Sequence, residues 1–294
     1  MENYLKKLEY DKILDLFKNY AITNLGKEKC LNLSPSFDKE TVEFLLRENS
    51  EAMSLYIRKG SLPISEIEDI SLSLKKLESN TYLSAKELLD IASILKLSRQ
   101  LKDYFYKDEN FDISIFPILE GYFSLLYTNI GIENRIFNAI CDKDTIFDNA
   151  SDKLSSLRKN RKKLESEVKE TLNKMIHSSA YSKYIMEQIV TIKNDRFVIP
   201  VKEEYRGMIK GFVHDISASG STLFIEPMNI FDLNNSINNI KLEESLEIER
   251  ILEELSKLFY PYISELKTNV ETITNIDFAF AKAKFAKSYL RNLT

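Results

Sequence analysis

The apolar positions of the first 150 residues recur at helical spacing. Leu5, Leu8, Ile13, Leu16, Phe17 and Tyr20 form one set, interrupted by Gly26 and Ser34-Pro35. Val42, Leu45, Leu46, Met53 and Ile57 define a second stripe, closed by the loop from Gly60 to Pro63. Ser84 and Glu87 stand at capping-box spacing, in which each side chain satisfies a free backbone amide at a helix start. Leu88, Ile91, Ile94, Leu95 and Leu101 follow as one face, and two shorter helices are predicted up to about residue 140. From Ser151 to His177 there is no Gly or Pro, and Leu157, Leu164, Val168, Leu172 and Met175 make a thin seam that also contains Arg161. Ile230, Leu233, Ile237 and Ile240 give a second thin seam. Ile248, Ile251, Leu255 and Leu258 continue it after a phase shift, as in a stutter. Seams this narrow suit two-helix coiled-coil packing.

Between the two seams the period changes to two. Ile189 to Ile192 and Phe197 to Val201 read as strands flanking a Lys193-Asn194-Asp195-Arg196 turn, because Asn and Asp tolerate left-handed backbone angles. Pro200 cannot donate to a ladder, which predicts an edge strand. Met208 to Asp215 and Ser221 to Glu226 read as two more strands, joined through Ser217-Ala218-Ser219-Gly220. A last helix over about 263–292 carries Leu266, Val270, Ile273, Ile276, Phe280, Ala283 and Ala286, a broad stripe that should pack on the first 150 residues. The pattern therefore predicts a mainly α fold, a helical core with an inserted antiparallel coiled-coil arm that ends in a small antiparallel β-sheet tip. The expected segments are 1–150 for the first part of the core, 151–247 for the arm with its strands at about 189–227, and 248–294 for helices returning to the core.

Composition supports long helices, since 294 residues contain only 7 Gly and 6 Pro. The formal charge of −4 gives no global case for nucleic acid or membrane. Charge is nevertheless segregated. Lys153 to Lys210 holds 14 Lys or Arg against 7 Asp or Glu, an excess of +7 that leaves −11 for the remainder. That is the footprint of a nucleic-acid-binding arm. Glu243, Glu244, Glu247, Glu249, Glu253 and Glu254 on the returning helix offer the opposing reading, in which cross-arm ion pairs absorb the positive charge. Cys30 and Cys141 have no metal-like spacing and are expected to be buried thiols. The opening MENYLKKLEYDKIL lacks the apolar run of a signal peptide, and no stretch approaches a membrane span, so a cytoplasmic protein with no membrane partner is expected.

Little in the chain supports catalysis. There is no Gly-x-x-x-x-Gly-Lys-Ser/Thr phosphate loop, so ATP hydrolysis is not expected of this chain. His214-Asp215 followed by Ser217, Ser219 and Ser221 resembles the parts of a catalytic triad, but no Gly-x-Ser-x-Gly elbow accompanies them and turn chemistry explains them as well. The only other histidine is His177, too little for a metal site. Phe224-x-Glu226 superficially matches a base-stacking wedge, yet it alternates within an apolar strand, where Phe224 reads as core.

The segment IVTIKNDRFVIPVKEEYRGMIKGFVHDISASGSTLFIEPMNIFDLNN (189–235) closely resembles the clamp of type-two MutS proteins. LEYDKILDLF…LGKEKCLNLSP (8–35) resembles that family's start, and LSAKELLDIASILKLSRQLKDYF (83–105) and IDFAFAKAKFAKSY (276–289) fit its core. The resemblance covers essentially the whole chain. It implies a non-catalytic core (lever) and clamp region that ends before an ABC-type ATPase and a small Smr nuclease domain. ATP and Mg would belong to that absent ATPase, and this chain would hold no cofactor or metal. The full-length relatives bind branched DNA and suppress recombination, and they bind collided ribosomes and split them, so DNA or rRNA is the implied partner. Homodimerisation is implied through the ATPase, leaving this region monomeric or weakly associating. By position, the implied nucleic-acid contacts are Lys193, Asn194, Arg196, Lys202, Arg206, Lys210, Ser217, Ser219 and Ser221, with Tyr205 as a possible stacking residue. The competing reading is a coiled-coil protein-interaction or dimerisation arm without nucleic-acid contact.

Overall fold

The computed structural model describes residues 7–108 and 111–291, so Leu5 of the first predicted stripe lies outside the described residues. The chain divides into two compact units, Met1–Ile146 together with Leu252–Thr294, and Phe147–Ile251.

The first unit is helical. Its helices are α1 (Tyr10–Phe17), α2 (Asn24–Leu31), α3 (Lys39–Lys59), α4 (Ser71–Glu78), α5 (Ala85–Tyr106), α6 (Pro117–Leu125), α7 (Ile130–Ala139) and α10 (Ile263–Arg291). The capping box predicted at Ser84 and Glu87 forms at the start of α5. The broad stripe of α10 packs on α2, α3, α5 and α6 of the same unit, burying Leu266, Ile273, Ile276 and Phe280 completely. Phe105 of α5 stacks on Phe123 of α6 at 4.4 Å between ring centroids.

Two polar contacts fix α10 from within. Asp277 is buried and accepts hydrogen bonds from the backbone N–H of Thr23 (2.8 Å) and of Ile22, and from the Thr23 hydroxyl (2.8 Å). Thr23 in turn N-caps α2 through Gly26 N–H. Glu48 of α3 accepts from the Tyr122 hydroxyl at 2.5 Å and pairs with Lys282.

These contacts explain a difference from the sequence pattern. On α3 the buried side chains are Glu48, Ala52 and Leu55, while Leu46 and Ile57 of the predicted stripe are exposed. A charged residue turns inward there because a lysine and a tyrosine wait for it. Leu8, Ile13 and Leu16 are likewise exposed, and among the described residues of that first stripe only Phe17 is buried. A two-stranded hairpin, β1 (Ile140–Asp142) and β2 (Thr145–Ile146), was not predicted. Cys30 is buried and its thiol is pushed up to about 12 by desolvation, whereas Cys141 is exposed, contrary to expectation.

The second unit contains α8 (Asp152–Ile176), most of α9 (Phe231–Lys257) and a four-stranded antiparallel sheet in the order β3 (Thr191–Lys193), β4 (Arg196–Lys202), β6 (Thr222–Pro227), β5 (Gly211–Ile216). The helices run antiparallel. Ser151 and Arg161 near the start of α8 reach Glu247 and Glu244 of α9. At the other end Val168, Leu172, Ile176, Ile230 and Ile237 share one core with Ile199, Val201, Leu223 and Ile225 of the sheet.

The α9 seam needs no phase shift. Its buried positions are Ile237, Ile240, Glu244, Glu247, Ile251 and Leu255, in steps of three or four, while Leu242 and Leu246 are exposed. The two glutamates hold interior positions because Arg158, Arg161 and Lys153 meet them from α8.

The β3–β4 turn forms as predicted, with Asn194 at φ 50° and Asp195 at φ 60°. Pro200, however, lies in an inner strand of the sheet. It is tolerated because the β3 ladder stops at Thr191–Val198 and only an isolated bridge, Ile185 to Val201, continues on that side, where the Pro200 carbonyl accepts from Met186 N–H at 2.9 Å.

Candidate nucleic-acid interface

The residues singled out from sequence fall at two ends of the sheet. At the first end, the β3–β4 turn folds back beside α9, where Asp195 pairs with Lys241 at 3.0 Å. Lys193 spans the Phe224 ring, 4.4 Å from its centroid, to reach Asp215 at 2.8 Å. That ammonium, with the Ile216 amide, holds the Asp215 carboxyl below its usual range. Asn194 donates its side-chain amide to the His214 carbonyl at 2.9 Å.

Arg196 is more deeply engaged. One guanidinium nitrogen donates to Glu226 at 2.7 Å and another to Asn235 at 2.6 Å, while its plane lies over Phe231. Glu226 has no exposed side-chain surface. It also accepts from Asn234 Nδ2 at 2.7 Å and sits 2.6 Å from His214 Nε2. Lys193, Asn194 and Arg196 are thus tied to protein partners, and in this conformation their polar atoms hold the sheet together.

At the opposite end, Lys202 and Tyr205 lie beside the serine loop. Glu203 N–H donates to the Ser221 carbonyl at 3.0 Å, and Lys202 is in register with Thr222. The Ser219 hydroxyl is 2.8 Å from that of Ser221 and 3.4 Å from that of Ser217, and Ser217 also accepts from Thr222 N–H. Gly220 closes this loop at φ 73°, a backbone angle that favours glycine. Lys202 stands over Tyr205, the Tyr205 ring lies 5.1 Å from that of Tyr184, and Lys183 stands over Tyr184. Arg206 follows as an exposed side chain. Lys210, also exposed, lies at the first end of the sheet instead, where its carbonyl accepts from Met228 N–H at 3.0 Å and Gly211 is in register with Pro227.

Lys183 and Tyr184 escaped sequence reasoning as site residues. They sit in a turn segment without period, about twenty positions from the strand residues they join.

The charge question posed by the sequence has a divided answer. Lys153, Arg158, Arg161 and Lys162 on α8 meet Glu247, Glu244, Glu165 or Asp148. Among the described residues, no carboxylate lies within 4.0 Å of Lys159, Lys163 or Lys169 on α8, or of Lys183, Lys202, Arg206 or Lys210. Glu203 and Glu204, exposed beside Lys202, temper this field without pairing with it.

The triad parts are not assembled. His214 faces Glu226, Asp215 faces Lys193, and the serines bond one another. Glu226, fully buried, cannot reach a base, and Phe224 is half-buried under Lys193. Among the described residues no cluster of His, Cys, Asp or Glu could hold a metal, and no helix is long and apolar enough to cross a membrane.

No family model matches the chain. Individual relatives do. It is 43% identical over 282 residues to Endonuclease MutS2 of Ruminiclostridium cellulolyticum, covering 96% of this chain and 35% of that protein. It is 41% identical over 288 residues to Endonuclease MutS2 of Acetivibrio thermocellus, covering 98% of this chain and 36% of that protein. It is 39% identical over 285 residues to Endonuclease MutS2 of Clostridioides difficile, covering 97% and 36% respectively. The chain spans about a third of the length of the curated relatives it matches. With identity near 40% sustained over almost all of its residues, and with the helical core and β-bearing clamp unit that the sequence resemblance implied, the chain belongs to the MutS2 family.

Proposed function

We propose that this chain is the non-catalytic core and clamp region of a MutS2 protein, and that its second unit grips nucleic acid through the end of the sheet bearing Lys183, Lys202, Tyr205, Arg206 and the Ser217–Ser221 loop. The grouping of unpaired cations with aromatic rings and hydroxyls is the observation that carries this reading. On α8, Lys153, Arg158, Arg161, Lys162 and Lys174 have carboxylate partners while, among the described residues, Lys159, Lys163 and Lys169 are exposed without one, but only at the sheet end do such cations stand beside two tyrosines and three hydroxyls. Ammonium and guanidinium groups with hydroxyl donors suit sequence-independent phosphate contact, and a tyrosine offers a face to an unpaired base. Branched DNA and rRNA both present such phosphates and bases. ATP and its magnesium ion would be held by a domain outside this chain, which contains no phosphate loop, and the nuclease activity named for the relatives would likewise reside elsewhere. The parent would be a cytoplasmic homodimer joined outside this region.

Binding of the chain to a labelled four-way DNA junction and to an rRNA stem-loop, measured over a salt series, tests the reading. Two to four phosphate contacts give a log–log slope of roughly −2 to −4 on duplex DNA. Lys202→Glu with Arg206→Glu lowers both affinity and slope. Salt-insensitive self-association with no nucleic acid bound would favour the protein-interaction arm instead.

A further inference from the structure

A second recess lies on the same unit, apart from the proposed phosphate surface. It is a cleft of about 590 Å³ between the end of α8, the turn after it, the loop before β5 and the link from β6 to α9. Its floor is Ile209, almost fully buried, and three methionines line it: Met175, Met208 and Met228. Met208 and Met228 are more than half exposed, at 59% and 53%. Such side chains are costly to leave in water, and their flexible thioethers adapt to varied apolar partners.

Lys174 and Lys210 stand at the rim, and none of the lining residues is acidic. Lys210 has no carboxylate within 4.0 Å among the described residues, and Lys174 meets only Glu170 on its own helix, where both side chains are largely exposed. An exposed pair of this kind holds its members weakly.

We infer that this methionine-lined cleft is a docking site for a protein partner, which inserts the apolar face of an amphipathic helical segment and sets carboxylates against Lys174 and Lys210. Charge complementarity selects the occupant. The charged lining residues are both cations and, Ser178 and Asn229 apart, the rest are apolar or aromatic, so a matching ligand carries anionic groups flanking hydrocarbon. Helices recognised in grooves have that form. Nucleic acid satisfies the rim but not the floor. Tyr181, the one aromatic residue lining the cleft, is packed against the hydrophobic core, leaving the methionines without a stacking platform for bases. The volume suits a few side chains of a helix rather than its whole width.

Panning a random-peptide phage library on the chain tests this directly. The enriched sequences should combine Leu, Ile or Phe at helical spacing with Asp or Glu. A synthetic consensus peptide should bind with an affinity that falls about ten-fold or more in Met208→Glu and in Lys210→Glu. Both residues are exposed, so the variants should unfold at the same temperature as the parent chain. A charge-inverted peptide carrying Lys for Glu should bind the Lys174→Glu Lys210→Glu double variant better than it binds the original chain. Enrichment without acidic residues, or binding unaffected by Met208→Glu, would overturn the proposal. So would displacement of the peptide by a single-stranded oligonucleotide whose own binding is lost in Met208→Glu, because the cleft would then belong to the nucleic-acid surface. Loss of junction binding in Lys202→Glu Arg206→Glu leaves this test untouched, so the two readings fail separately.

Discussion

Arg196 decides whether the start of β4 is a binding surface or a structural joint, and its removal has a calculable cost. Its guanidinium meets the buried Glu226 carboxylate at 2.7 Å, and only 20% of the Arg196 side chain is exposed. Arg196→Met leaves that carboxylate facing His214 Nε2 and Asn234 Nδ2 without its permanent cation. Breaking one side of a buried ion pair costs about 3–5 kcal/mol. The lower end applies here, because the two remaining donors still solvate Glu226.

Replacing both partners, Arg196→Met with Glu226→Leu, removes the stranded charge. Asn234 keeps its bonds to the Phe197 carbonyl (3.1 Å) and amide (3.2 Å), and His214, 21% exposed, can reach water. The double variant should therefore lose only about 1–2 kcal/mol, roughly 1–2 kcal/mol less than Arg196→Met alone.

The chain has two compact units, so a global unfolding curve need not report this region alone. Native-state hydrogen exchange of the β4 amides of Phe197, Val198, Ile199 and Val201 gives the local opening free energy in each variant. A loss under about 1 kcal/mol for Arg196→Met would mean that the pair behaves as a surface ion pair. Arg196 would then be free for phosphate, and the division of the sheet into a structural end and a binding end would be wrong.

Gly26→Ala, which in an ordinary helix would stabilise by about 1 kcal/mol, should destabilise the first unit by about 1–3 kcal/mol in urea unfolding. The new methyl would collide with Asp277 Oδ2 and fall 2.8 Å from Thr23 Oγ1. Asp277→Ala leaves two backbone amides and a hydroxyl without their acceptor and should cost about 3 kcal/mol or more in the same assay; a loss under about 1 kcal/mol would show that the α2–α10 joint is not formed as described. Glu247 has its pKa held down to about 2 by Arg250, with Ser151 and Lys153. A folded-state pKa below the ordinary carboxylate value of about 4.3 contributes stability that is present at neutral pH and is lost as pH falls from about 5 toward 2. Exchange protection of α8 should therefore decline over that window, and the decline should be shallower in Glu247→Gln; parallel profiles would contradict it. Asp195→Gly should stabilise the hairpin by about 0.5–1 kcal/mol, since glycine adopts φ 60° without strain. The exposed Lys241 contact given up in exchange is worth less than that gain.

The features legible in the sequence are those whose chemistry is local. Ser84 and Glu87 lie three residues apart, and each caps the other's backbone. Asn194 and Asp195 announce their turn because left-handed angles restrict residue type. The continuous run of aromatic and β-branched residues from Phe197 to Val201 reports a strand, although Pro200 misled as to its place in the sheet. Reasoning failed where a distant partner changed the meaning of a residue. Glu48 reads as a surface residue until Lys282 and Tyr122 are placed beside it. Glu244 and Glu247 are legible as cross-arm partners of α8, but not as interior positions of the α9 seam, for which the apolar pattern alone suggests a phase shift until Arg158, Arg161 and Lys153 are placed beside them.

The candidate site carries the same lesson with the sign reversed. Counting charges along Lys153 to Lys210 shows an excess but cannot say which cations are already used. Only the antiparallel return of α9 assigns carboxylates to α8, and only the sheet register brings Glu226 to Arg196 and Asp215 to Lys193. Among the described residues the fold leaves half of the fourteen basic residues of that span without a carboxylate, Lys159, Lys163 and Lys169 on α8 and Lys183, Lys202, Arg206 and Lys210 around the sheet. An electrostatic surface is therefore defined by subtraction. A basic residue in a clamp of this kind is a candidate for ligand contact to the extent that the fold has given it no carboxylate of its own.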